Sequence, residues 1–136
     1  MLGFVLLFSC QNSQSGKNKK SEISTQIKVA AYNVEYSKNA TATEIGEALK
    51  SYNFDVVCFS EAPGGDWTKK VGAVLGLNNI VVGKYSTAGH VDKYKTIASR
   101  TPLFDIEEVL MADTLHTVTK AKMLASMHWM ILKMAR

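Results

Sequence analysis

The chain has 136 residues, 46% hydrophobic and 21% charged, which allows one domain with a packed core and excludes a disordered polyelectrolyte. Its net charge of +4 sits at the ends: residues 1–26 carry three Lys against Glu22, residues 111–136 carry three Lys and Arg136 against Asp113, and the middle carries nine Lys or Arg against ten Asp or Glu. A slightly acidic middle shows no electrostatic footprint for gripping a nucleic-acid backbone, and two cysteines, Cys10 and Cys58, make neither a disulfide framework nor a thiolate metal site.

Leu2 to Phe8 is an apolar stretch too short to span a bilayer but within the range of a signal-peptide hydrophobic region. It ends in Leu7-Phe8-Ser9-Cys10, which resembles the lipobox of bacterial lipoproteins, where the Cys becomes acylated. Residues 1–10 therefore read as a lipoprotein-type signal segment and residues 11–26, polar from Gln11 to Lys20, as a flexible tether. This predicts a lipid anchor on Cys10 and a bacterial cell-envelope location. The other reading is a greasy terminus without an export role, since Met1-Leu2 lacks the side-chain charge that begins a signal peptide.

The elements of the next segment follow from period and punctuation. Ile27 to Val34 is β-branched and aromatic, which predicts a strand. Thr41-Ala42-Thr43-Glu44 has capping-box spacing, and Ile45, Ala48, Leu49 and Tyr52 then mark one helical stripe. Phe54 to Phe59 is almost continuously apolar, as in a strand covered on both faces, with Cys58 a buried, inert thiol. Pro63-Gly64-Gly65 breaks the chain, and Asp66 caps a second helix with Trp67, Val71, Val74 and Leu75 on one face and Gly76 near its end. Strands follow at Ile80 to Val82, at Tyr94 to Arg100 after a polar loop from Ser86 to Asp92, and at Leu103 to Leu110 after Thr101-Pro102. The order predicts an α/β (α+β) domain over residues 27–110, with helices on one face of a sheet.

Two polar residues end the first two strands, Asn33 and Glu61. If those strands are parallel neighbours, both emerge at the carboxyl edge of the sheet, where open α/β sheets place ligands. A carboxylate and an amide oxygen are hard donors suited to Mg²⁺, which keeps several waters and takes one or two protein carboxylates. The competing reading is a solvent-facing Glu and a turn-forming Asn.

The strings Ile27-Lys28-Val29-Ala30-Ala31-Tyr32-Asn33-Val34 and Asp55-Val56-Val57-Cys58-Phe59-Ser60-Glu61 resemble the first two motifs of the endonuclease/exonuclease/phosphatase superfamily. Lys95-Thr96-Ile97-Ala98-Ser99-Arg100-Thr101-Pro102-Leu103 is similar to its third region. The resemblance implies a partial DNase I-like β-sandwich with flanking helices, the first sheet half only. It also implies a Mg²⁺ (or Mn²⁺)-dependent hydrolase of phosphate esters, of nuclease or phosphatase type, with nucleic acid entering only as substrate. Carried over, Glu61 is the metal ligand and Asn33 sits beside it, helping to hold metal and scissile phosphate. Arg100 matches a position near the fold's edge, where an exposed cation is the plainer reading, and His90 has no matching role.

The family's later Gly-Asp-x-Asn segment and Asp-His pair do not occur: no Asp is followed two places later by Asn, and neither His116 nor His128 follows an Asp. Asp113-Thr114-Leu115-His116 echoes an Asn-Thr-His signal only faintly. An inactive fragment, or a non-catalytic envelope-anchored α/β module, is accordingly the alternative function. Residues 111–136 form a Met-rich tail in which Met123, Met127, Met130 and Met134 recur at helical spacing. They are expected to form an amphipathic helix, or else to be a stretch in which the family's reading frame is lost near Asp113.

Overall fold

A computed structural model describes residues 26–86, 90–110, 117–125 and 128–134. Among these residues seven strands and two α-helices follow one another: β1 (Val29–Asn33), α1 (Ala42–Lys50), β2 (Val56–Ala62), α2 (Trp67–Leu75), β3 (Asn79–Val82), β4 (Tyr94–Ser99), β5 (Leu103–Leu110), β6 (Thr117–Ala125) and β7 (His128–Met134). A mixed four-stranded sheet has the order β1-β2-β4-β3, and a second sheet has the order β5-β6-β7. β1 and β2 are parallel, with Asn33 opposite Ser60, whereas β4 runs antiparallel to both β2 and β3.

The near-continuous apolar run of β2 is explained by what lies on each side of it. Val57 and Phe59 join Ile45, Leu49, Trp67 and Val71 in a core under the helices, while Val56 and Cys58 pack with Val81, Ile97 and Ala121 on the other face. Buried on both sides, the strand carries no polar residue before Ser60. Burial pushes the Cys58 thiol up to about 12, the inert state expected of it. Trp67 meets Phe59 edge-on, with ring centroids 5.3 Å apart, and a polar bridge beside this core, Thr68 to Thr96 at 2.9 Å, satisfies both buried hydroxyls.

Local chemistry sets the start of α1 and the end of α2. The Thr41 hydroxyl accepts from the Glu44 amide and the Glu44 carboxylate accepts from the Thr41 amide, a complete capping box. The buried stripe of α1 is Ala42, Ile45, Gly46 and Leu49, rotated from the expected one. Ala48 is exposed, and Tyr52 lies past the helix end, stacked on Phe54. Gly46 is what turns α1, because its missing side chain lets Val74 of α2 approach. Asp66 stands at the start of α2 without a side-chain cap, and Gly76, at φ +70°, ends the helix with the Leu77 amide donating back to Gly72.

The helical expectation for the Met-rich tail is corrected. Residues 117–125 and 128–134 are strands that pair antiparallel, with Met123 opposite Met130, so their sequence spacing is that of partners across a hairpin. Thr117, Val118 and Thr119, β-branched in succession, favour the extended chain. The four-stranded sheet matches the expected partial sandwich, and β5 to β7 add a second layer, from which Leu103 and Ala121 reach the far face of the first sheet. Asp113, His116 and Cys10 lie outside the described residues.

Candidate functional site

The parallel pairing of β1 and β2 brings their carboxyl ends level, and the Val34 amide continues the ladder by donating to the Ser60 carbonyl. Asn33 is the last residue of β1 and Glu61 the next to last of β2. Between Phe59 and Ala62 the β2–β4 register slips, Phe59 lying opposite Thr96 and Ala62 opposite Tyr94. Ser60 and Glu61 thus share one partner, Lys95, which makes a β-bulge. Glu61 takes φ +54°, the left-handed region that side chains ordinarily avoid. The bulge thereby aims its carboxylate across the strand end, a local cost of a kind that collects at functional sites.

The Asn33 amide is oriented by its surroundings. Its Oδ1 accepts from the Glu35 backbone N–H at 2.9 Å, which leaves Nδ2 to donate to Glu61 Oε1 at 3.3 Å. Asn33 therefore holds the carboxylate with a donor, and its own oxygen is already engaged. On the other carboxylate oxygen, Oε2, lies the Lys93 ammonium at 3.4 Å. Only 12% of the Glu61 side chain and 22% of the Lys93 side chain are exposed, so screening by water is weaker than for a surface pair. Sequence reasoning named Asn33 and Glu61 and missed Lys93; a lysine just before a strand carries no signal of where a bulge on another strand will point.

The loops around this group are tied together by Asp92. Its Oδ1 accepts from the Gly64 amide at 2.8 Å and its Oδ2 from the Tyr36 hydroxyl at 3.2 Å. The segments after β1, after β2 and before β4 thus meet at one carboxylate. The hydrogen bond to Asp92, and then the nearness of that charge, push the Tyr36 phenol up. Glu35, Tyr36 and Ser37 all have positive φ, forming a tight left-handed turn braced where Trp67 Nε1 donates to Ser37 Oγ at 3.0 Å.

Arg100 lies at the other end of the sheet. Its guanidinium donates to Asp55 Oδ1 at 3.1 Å, to Asn53 Oδ1 at 3.0 Å and to the Phe54 carbonyl at 2.8 Å. Asp55 also accepts from the Lys28 amide, so Arg100 and Asp55 form a clasp that joins the starts of β1 and β2 to the end of β4. It is a structural cation, and His90 is an exposed loop residue.

The donor set can be tested against a divalent cation. Among the described residues no group of three or more His, Cys, Asp and Glu converges. A single, largely desolvated carboxylate that already attracts a cationic group, with an amide beside it, fits Mg²⁺, whose remaining positions are taken by water and substrate oxygens. Among the described residues no helix is long and apolar enough to cross a membrane.

No protein-family model and no curated protein matches the chain. Among solved structures it is similar to an endonuclease/exonuclease/phosphatase from Beutenbergia cavernae DSM 12333, at 13% identity with a TM-score of 0.66. The match covers 79% of this chain and 37% of that one. At that identity the likeness concerns the fold, which is a partial DNase I-like one. The chain spans little more than a third of the structure that it matches.

Proposed function

We propose that the chain is the amino-terminal, metal-holding part of a Mg²⁺-dependent hydrolase of phosphate esters, of endonuclease/exonuclease/phosphatase type. The observation that carries this reading is the meeting of Asn33 and Glu61 at the carboxyl edge of β1 and β2, in a fold shared with a structure of that kind. Glu61 would hold Mg²⁺ or Mn²⁺, and Asn33 would fix the carboxylate by donating to Oε1. When bound, the cation supplies positive charge against which a phosphoryl oxygen is polarised.

The contribution of the chain's own residues is preorganisation. The bulge fixes the direction of Glu61, Asn33 limits its rotation, and Asp92 holds the three surrounding loops, so the carboxylate itself is held in place before binding. The substrate is a phosphate ester. The membrane enters through an acyl anchor on Cys10, supported by the Leu7-Phe8-Ser9-Cys10 sequence, with the cell envelope as location.

The test is a Mn²⁺ titration of the full chain followed by calorimetry. Glu61→Gln, which keeps shape and removes charge, should abolish binding, and Asn33→Ala should weaken it. Wild-type affinity in Glu61→Gln would overturn the reading. Hydrolysis of a chromogenic phosphodiester by a version extended to the length of the matched structure, absent in its Glu61→Gln form, would establish the reaction class. Metal binding with no hydrolysis in that version would favour the non-catalytic module.

A further inference from the structure

Resting on the proposal that Glu61 binds a divalent cation, we infer that Lys93 is the built-in counter-ion of that carboxylate. A metal takes its place at Glu61 Oε2, and the released ammonium then receives the anionic phosphate. The two carboxylate oxygens have different partners: Oε1 is held by the neutral Asn33 amide and Oε2 by the Lys93 ammonium. A divalent ion approaching Oε1 meets a positioning group. At Oε2 it meets a like charge that must leave.

The fold sets this pairing, since the two residues are 32 positions apart. Lys93 precedes β4, whose first residue, Tyr94, lies opposite Ala62 beside the bulge. The backbone of Lys93 is anchored twice to Ser86, its amide donating to Oγ at 3.0 Å and its carbonyl accepting from that hydroxyl at 3.4 Å. Its neighbour Asp92 is held by Gly64 and Tyr36. The root of the side chain is fixed, while its four-carbon stem can swing the ammonium aside.

Displacement has a consequence for substrate. With the metal on Glu61, Lys93 is a partly buried cation beside a second cation, a costly arrangement until an anion arrives. Without metal, Lys93 is neutralised by Glu61 and attracts phosphate poorly. Metal and phosphate binding are therefore coupled through one side chain, and the coupling is reciprocal.

The experiment measures Mn²⁺ binding by electron paramagnetic resonance for the full-length wild type, Lys93→Met, Lys93→Gln and Glu61→Gln, with and without inorganic phosphate. Removing the competing ammonium should tighten Mn²⁺ about ten-fold, the factor equivalent to about 1.4 kcal/mol. Phosphate should tighten Mn²⁺ binding in the wild type and lose that effect in both Lys93 variants. In the wild type, acylation of Lys93 by an amine-reactive reagent should rise when Mn²⁺ saturates, a measurement that needs no variant to fold. If both Lys93 variants bind Mn²⁺ no more tightly than the wild type while Glu61→Gln abolishes binding, the counter-ion role is overturned and the metal reading stands. Acylation unchanged by saturating Mn²⁺ likewise overturns it. Undiminished binding in Glu61→Gln removes the metal reading and this inference together.

Discussion

Replacing Gly46 by Ala sets two known effects against each other in the same helix. Away from contacts, Ala should stabilise a helix interior by about 1 kcal/mol relative to Gly. A Cβ at position 46, however, would lie 2.7 Å from Val74 Cβ and 2.8 Å from Val74 Cγ1, whereas carbons rest at roughly 3.5–4.0 Å. Val74 Cβ is bonded to the backbone of α2 and cannot turn away, so the helices must part, and forced overpacking costs about 1–3 kcal/mol. The packing effect wins, and Gly46→Ala is expected to destabilise the chain by about 1 kcal/mol. In urea unfolding followed by circular dichroism this lowers the midpoint by about 0.5 M. Adding Val74→Ala removes the γ carbons but leaves the β carbon, and should recover only part of the loss. A raised midpoint for Gly46→Ala would refute the close helix approach and the account of why the buried stripe of α1 is rotated.

Three further outcomes follow from the same physics. Arg100→Lys keeps the charge but loses the fork that reaches Asp55, Asn53 and Phe54 together; with its side chain 41% exposed, solvent screening limits the expected loss to about 1 kcal/mol, read by thermal melting, and Mn²⁺ affinity should stay at the wild-type value. The Glu44 carboxyl is held below its ordinary value by the Thr41 amide and then the Thr41 hydroxyl. A folded value lower than the unfolded one means that this stabilisation is fully present above the unfolded value and lost as pH falls through the folded one, so Glu44→Gln should flatten the acid limb of a stability-versus-pH series. With the Cys58 thiol pushed up to about 12 by burial, almost none of it is thiolate at about pH 8. In a Cys10→Ser background a disulfide reagent should label it only as fast as the chain opens, and prompt labelling would show that the core beneath β2 admits solvent.

What the sequence revealed was whatever depends on local periodicity or on one topological rule. The capping box needs only Thr41 and Glu44, and the two-sided burial of β2 is written in Val56 through Phe59. The meeting of Asn33 with Glu61 follows once a strand-helix-strand unit is known to pair in parallel. Hidden features depended on register between distant strands. The bulge arises where β2 and β4 fall out of step, and neither strand's sequence announces it. Lys93 was invisible for the same reason. The tail misled because Met123 and Met130 are seven apart, which suits two helical turns and also two strands folded on each other; the run Thr117-Val118-Thr119 was the better signal.

The clasp and the bulge divide the labour of a single strand. Asp55, just before β2, is tied to Arg100, and Glu61, near its end, carries the proposed chemistry, six residues and about 20 Å of extended chain away. Perturbations separated by that distance usually add independently. The rim around Glu61 and Lys93 can therefore change while robustness is tuned at the opposite rim, so that altering the proposed site need not gamble foldedness on each step.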